Sequence, residues 1–427
     1  VTNPDEIAAE LAARDVAVIA LTWVDNSGIT RMKGIPVARL AHAAHWGVGA
    51  SPVFDTFLVD DSNVMGRYAG GPVGDLRLVP DLRRLTLLAG QPGWAWAPAD
   101  RYDQNRDRHP QDARGILGTV VTRLADQGYA VRAGFEVEWC VVPSDSAPAY
   151  GMARAVEHSD YLRTLMEALI AENVPVEQLH PEYSPGQFEV SFSPQDPVGA
   201  ADMLVLVRET IRAVSLRHGL RASFAPRVVA GGVGNGGHVH LSLWRGPENL
   251  MLSDVGSSFI AGILERLPAL LAFGAPSVAS YLRLVPSHWA GAYACWGHEN
   301  REAALRFVTG TVGERESAAN IEVKCFDATA NPYLALAALL SAGLDGVSSA
   351  LSLPEPVEVD PASLASPPPR LPTSLSAAAD ALEGDPFFAS ELGVELVDTI
   401  LAVRRGEVAV FDGASEEEIV ARTLWRY

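Results

Sequence analysis

Four short apolar segments carry ionisable side chains at strand spacing. They are Gly-Phe-Glu-Val-Glu-Trp-Cys at 134–140, Gly-Gln-Phe-Glu-Val-Ser-Phe at 186–192, His-Val-His-Leu-Ser-Leu-Trp at 238–244 and Asn-Ile-Glu-Val-Lys-Cys-Phe at 320–326. Side chains two apart on a strand share a face. Glu136 and Glu138 therefore project together from an apolar element, as do His238 and His240, and Glu322 and Lys324. Like charges side by side on strands repel, so this common face calls for cations. Glu182 and Glu189 flank Pro185-Gly186, a pair suited to a type II turn. In a tight hairpin these two acids would stand directly opposite. Glu136, Glu138, Glu182, Glu189, Glu322 and His238 together make an oxygen-rich ligand set for Mg²⁺ or Mn²⁺. The set is too poor in Cys and His for a structural zinc site.

The rest of the chain narrows the class. At 427 residues there is room for two domains. A net charge of −19 argues against a nucleic-acid or anionic-membrane partner, but not against an anionic substrate in a local basic pocket. Cys140, Cys295 and Cys325 are scattered, with no CxxC, which points to a reducing cytoplasm. The first residues carry acids where a secretion signal carries bases, and no apolar run has the length of a membrane span. The polar, proline-bounded stretch 98–113 reads as a linker, placing one domain at 1–100 and a larger one at 101–427. Gly-Val-Gly-Asn-Gly-Gly at 232–237 fits a dinucleotide fingerprint, but a strand-like segment follows where a helix is required. Neither lysine lies in a Gly-Lys-Ser/Thr loop, so ATP, if used, is held without a P-loop. Arg283, Arg301 and Arg306 supply positive charge suited to carboxylate and phosphate groups.

The segments GFEVEW, HPEYSPGQFEVSF, GNGGHVHLSL, YLRLVP, NREAALR and NIEVKCFDATANPYLALAALLSAGLDG occur in this order. Together they resemble the glutamine synthetase family, bacterial class I type, across nearly the whole chain. The resemblance implies an α+β fold. A small N-terminal β-grasp-like domain would precede a large catalytic domain with a curved antiparallel sheet flanked by helices. It implies a homo-oligomer, a dodecamer of two rings, with each active site shared between neighbouring subunits. It implies two or more divalent cations per site: Glu138, Glu182 and Glu189 for one, and Glu136, His238 and Glu322 for another. Gly234 and Arg283 match positions that hold glutamate, and Arg301 and Arg306 match phosphate contacts. His240 and Ser242 match the ATP site, and Asp55 matches an ammonium-binding base lent by the neighbour.

Several positions depart from the family pattern. Trp289 stands where ammonia-using members carry a glutamate. Lys324 and Asn320 replace two usual arginines, and the stretch 351–364 lacks the tyrosine that adenylylated members modify. These departures leave the metal and glutamate positions intact and alter the amine position. The expected reaction is ATP-dependent ligation of the glutamate γ-carboxylate to an amine through γ-glutamyl phosphate. A primary monoamine is expected in preference to ammonia or a polyamine. The alternatives are an ordinary glutamine synthetase and a catalytically dead homologue that assembles or regulates.

Overall fold

The computed structural model describes residues 3–144 and 146–427. Asn3 opens the first helix, Pro4–Ala13, by accepting the Asp5 N–H, with proline at the first helical position. The chain then builds a six-stranded sheet in the order Thr30–Pro36, Val18–Val24, Trp94–Tyr102, Leu76–Pro80, Val48–Ala50, with Thr86–Leu87 also paired to Trp94–Tyr102. Val18–Val24 runs parallel to Trp94–Tyr102, and the other pairs are antiparallel. The expected linker is therefore only partly irregular. Its first residues, Pro98–Tyr102, are strand, and its end meets the helix Ala113–Asp126. Pro98 is tolerated there because its ring nitrogen is not called on as a donor, while its carbonyl accepts the Asp81 N–H.

A nine-stranded sheet forms the larger part. Its order is Tyr293–His298, Ala303–Val308, Asn320–Val323, Gly237–Arg245, Ala130–Val142, Gln187–Phe192, Val176–Pro181, with Arg221–Ser223 also paired to Ala130–Val142 and Glu248–Asn249 to Gly237–Arg245. All neighbours are antiparallel except Tyr293–His298 with Ala303–Val308. The apolar face of this sheet is covered by helices. The most deeply placed is Pro332–Ser348, capped by Asn331, whose side chain accepts the N–H groups of Tyr333 and Leu334. It packs on Asp254–Gly274 so closely that a Cβ on Gly262 would stand 2.7 Å from the Gly346 Cα. Asp254–Gly274 is long and apolar enough to cross a membrane, unlike the sequence expectation, but Phe259, Ile263, Leu267 and Leu271 are buried in this core.

The two sheets are tied by buried polar contacts rather than by a loose tether. The turn after Val18–Val24 brings Asn26 and Ser27 to the helix Val394–Val410. There Arg404 donates to the Asn26 carbonyl (2.6 Å) and Ser27 donates to Glu407 (2.8 Å). Asn331 donates to the Val24 carbonyl at 3.0 Å, so the cap of the central helix also fixes the N-terminal sheet.

Candidate active site

The sheet register explains how the four segments cooperate. Glu138 is the rung partner of Glu189, and Glu136 is the rung partner of His238. His240 pairs with Glu322, which pairs in turn with Arg306. Alternation then places these side chains on one face, opposite the helices. The hairpin differs from expectation. Its turn forms at Ser184–Gln187, with Gly186 at φ 69°, but the Glu182 N–H bonds the Gln187 carbonyl and the ladder pairs His180 with Glu189. His180, not Glu182, thus faces Glu189. The connection beyond the Glu182–Gln187 bond is the four-residue loop 183–186, two residues longer than a tight two-residue hairpin, and that length sets the register.

This face opens into a chamber of about 760 Å³. Glu136, Glu138, Glu182, Glu189 and His238 line one part of it; Gly234, Arg283, Trp289, Arg301, Arg306 and Lys324 line another. Gly234 allows a close approach, because a Cβ there would meet the Pro226 carbonyl at 2.0 Å. Arg283 is held by the carbonyls of Phe326 (3.3 Å) and Lys324 (3.1 Å) and lies 3.2 Å from His238 Nε2. Trp289 is 55% exposed, an indole on the wall with little packing of its own. Glu322 lies beneath the wall at 1% exposure, with Arg306 at 2.9 Å and Lys324 at 3.1 Å. His240 and Ser242 line an adjoining cavity of about 280 Å³ with Arg132, Trp244 and Asn320, and Glu136 belongs to both spaces. Asp55 is not brought to the chamber of its own chain. It is buried in the N-terminal part, 2.7 Å from Arg101.

Two further groups belong to the site but were not anticipated. His180 lies 3.2 Å from Glu189 and 3.7 Å from Glu182. Its two-residue spacing from Glu182 was a usable signal. Gln187 donates to Glu138 (2.9 Å) and to the Asn235 side chain (2.9 Å), bracing the acidic face from below.

The electrostatics describe a face with excess negative charge. Burial, then the charges of Glu138 and Glu189, push Glu182 up to about 7. Burial also raises Glu189, against a hydrogen bond from His180. Burial would raise Glu136, but hydrogen bonds from His238 and His240 hold it well below the usual carboxylate range. The hydrogen bond to Glu189 lifts His180 to about 9 despite burial. Three groups of donors fall within 4.8 Å of one another: Glu136, His240 and Glu322; Glu136, Glu189 and His238; His180, Glu182 and Glu189. These groupings mix the two expected sets, add His180 and His240, and do not include Glu138. The donors fit hard divalent cations, since crowded carboxylates with raised protonation are what such an ion relieves.

Fold and site define a carboxylate-lined, arginine-rimmed chamber beside a second cavity. Residues 110–422 match the family model "Glutamine synthetase, catalytic domain". The chain therefore belongs to the glutamine synthetase family, whose members form carbon–nitrogen bonds using ATP and divalent metal. It is 51% identical to "Gamma-glutamylpolyamine synthetase GlnA3" of Streptomyces coelicolor, over 99% of this chain and 96% of that protein. It is 28% identical to "Gamma-glutamylanilide synthase" of Acinetobacter sp, over 98% and 93% of the respective chains. Among solved structures it superposes on a "novel glutamine synthase homolog" with a TM-score of 0.89, at 33% identity, over 96% of this chain and 99% of that one.

Proposed function

We propose that this enzyme joins the γ-carboxylate of glutamate to a primary amine rather than to ammonia, using ATP. The observation that carries the reading is the chamber: a wall of crowded carboxylates, a rim of arginines, and on its lining Trp289, the residue that the family resemblance sets beside the amine. The 51% identity to a protein named for polyamine ligation supports the same chemistry.

Glu138, Glu182 and Glu189, with Glu136, His238 and Glu322, would hold two or more Mg²⁺ or Mn²⁺ ions. These would neutralise phosphate charge and orient ATP. His240 and Ser242 would border the nucleotide. Arg283, with the backbone at Gly234, would fix the substrate's α-carboxylate and amine, leaving its γ-carboxylate free. That carboxylate attacks the γ-phosphorus of ATP, forming γ-glutamyl phosphate and releasing ADP. Arg301, Arg306 and Lys324 would stabilise negative charge on the transferring phosphoryl oxygens. A neutral amine then attacks the acyl carbon, the C–N bond forms, and phosphate leaves. The amine's extra proton needs a base. Asp55 of a neighbouring subunit in a homo-oligomer, a dodecamer on the family pattern, is the proposed acceptor.

The sequence reading places a monoamine first. A second reading, a polyamine, is favoured by the relative's name. The test is ATP- and glutamate-dependent phosphate release with ammonium, a short alkylamine, an amino alcohol, an aromatic amine, a diamine and a polyamine. Best turnover with ammonium would overturn the amine reading. No release with any member would leave the dead homologue.

A further inference from the structure

The loop between the helix Ser280–Arg283 and the strand Tyr293–His298 places Ser287, His288 and Trp289 on the chamber wall. Its backbone is strained: Ser287 (φ 57°) and Trp289 (φ 55°) are both left-handed, with neither being glycine. Such residues persist when surrounding structure over-determines them. Here the holding group is Glu302. One of its carboxylate oxygens accepts the Ser287 N–H at 3.1 Å and the other accepts the Trp289 N–H at 2.7 Å. Glu302 is 7% exposed, and its own N–H is tied to the Asn300 side chain at 3.0 Å, which fixes its root. Asp360 adds a third tether by accepting the Ser287 hydroxyl at 2.9 Å. The Trp289 ring, by contrast, is more than half exposed. Its direction is therefore set mainly through its backbone.

We propose that Glu302 is a positioning residue for amine selection, its buried carboxylate clamping the backbone of Ser287 and Trp289 and so fixing where the indole meets the incoming amine. The inference rests on the amine-ligase reading. A carboxylate suits the task because it presents two acceptors to two N–H groups. Glutamine keeps the volume but turns one acceptor into a donor, and alanine removes both. The clamp touches neither the acidic wall nor Arg283, so glutamate and ATP should not feel its loss.

The test uses the assembled enzyme with saturating metal, varying amine, glutamate and ATP in turn. Glu302→Ala should raise the amine KM about 10-fold and Glu302→Gln about 3-fold, the loss of two and of one hydrogen bond to a buried carboxylate. The KM values for glutamate and ATP should move less than about 2-fold, which a general loss of structure would not allow. Trp289→Ala should cause a comparable rise, and Trp289→Ala with Glu302→Ala should be no worse than Trp289→Ala alone, because the clamp acts through the indole. An unchanged amine KM in Glu302→Ala, parallel rises in all three KM values, or additive losses in the double variant would overturn the inference. If Glu302→Ala does not fold, the same three outcomes are read from Glu302→Gln. A wild type that prefers ammonium removes the amine reading and this role together. A wild type that takes a primary amine, with Glu302 variants unaffected, removes only this role.

Discussion

Glu138 and Glu189 face each other across a single rung of the large sheet, two carboxylates on adjacent strands, with His180 facing Glu189 from its other side at 3.2 Å. Evolution of a stable fold alone does not explain that pairing, since opposed like charges destabilise a sheet. It is explained if the rung is kept for a cation.

The first prediction follows from that tension between stability and function. In Glu138, Oε2 accepts both Gln187 (2.9 Å) and the Gly236 N–H (2.8 Å), so a glutamine carbonyl can keep both bonds. Glu138→Gln should therefore fold, and without metal should melt roughly 1–2 °C above wild type because one charge of the rung is gone. Its phosphate release should fall on the order of 100-fold or more if, as proposed, Glu138 is a metal ligand. Mg²⁺ or Mn²⁺ should raise the melting temperature of the wild type and do so less in the variant. Scanning calorimetry with and without chelator, alongside the assay, checks this. Near-normal turnover would remove Glu138 from the metal site.

A second prediction concerns pH and the contact between the two sheets. Glu407 is fully buried beside Arg404, with Asp25 nearby. Burial lifts its carboxyl from 4.5 to about 7, against the charge of Arg404. A raised folded-state pKa means that the folded chain holds the proton more tightly. The resulting stability is complete below about pH 4.5 and is lost as pH rises through about 7. At 1.36 kcal/mol per unit the change is roughly 3 kcal/mol. The stability difference between wild type and Glu407→Gln, from urea titrations, should therefore shift against the wild type between pH 5 and pH 8. A difference that does not change with pH would show that Glu407 stays in one protonation state.

Much of this was legible in the residues, and the failures have physical causes. The period-two placement of Glu136, Glu138, His238 and His240 revealed the acidic face, because alternation is a local property of a strand. Local rules do not set pairing register, so the longer loop at 183–186 hid His180 behind an expected Glu182–Glu189 rung. Composition misread Pro98–Tyr102 as linker, because prolines and charges there sit on a strand whose partners are distant in sequence. The role of Glu302 was out of reach for the same reason: its two bonds depend on a loop conformation and not on any spacing.

The third prediction addresses the shared site. Asp55 is buried against Arg101 and lies apart from the chamber of its own chain. If it serves a neighbour, Asp55→Ala and Glu138→Ala should each be inactive, one through the lent base and the other through the metal wall. Subunits of the two variants, dissociated and reassembled together in equal amounts, should regain about a quarter of wild-type sites, since a random interface has an intact half from each side one time in four. No recovery after demonstrated mixing would mean that one chain supplies both Asp55 and Glu138 to a site, or that Asp55 belongs to none.

The last prediction is the amine. Trp289 occupies the chamber wall with its ring more than half exposed, so it is available to a substrate and is not locked in a core. An indole cannot take a proton, but it can pack against a carbon chain and face a cation, interactions worth about 0.5–2 kcal/mol. That range corresponds to roughly 2- to 30-fold in kcat/KM. Ammonium has no carbon body and gains only the cationic part. Trp289→Glu should therefore lower kcat/KM for the preferred primary amine and raise it for ammonium, narrowing the ratio from both ends. Trp289→Phe keeps an aromatic face and should retain most of the wild-type preference. The deciding measurement is kcat/KM across the amine panel for all three proteins at fixed metal, glutamate and ATP. An unaltered ratio in Trp289→Glu would mean that the ring only closes the loop, and that selection lies with other groups in the chamber.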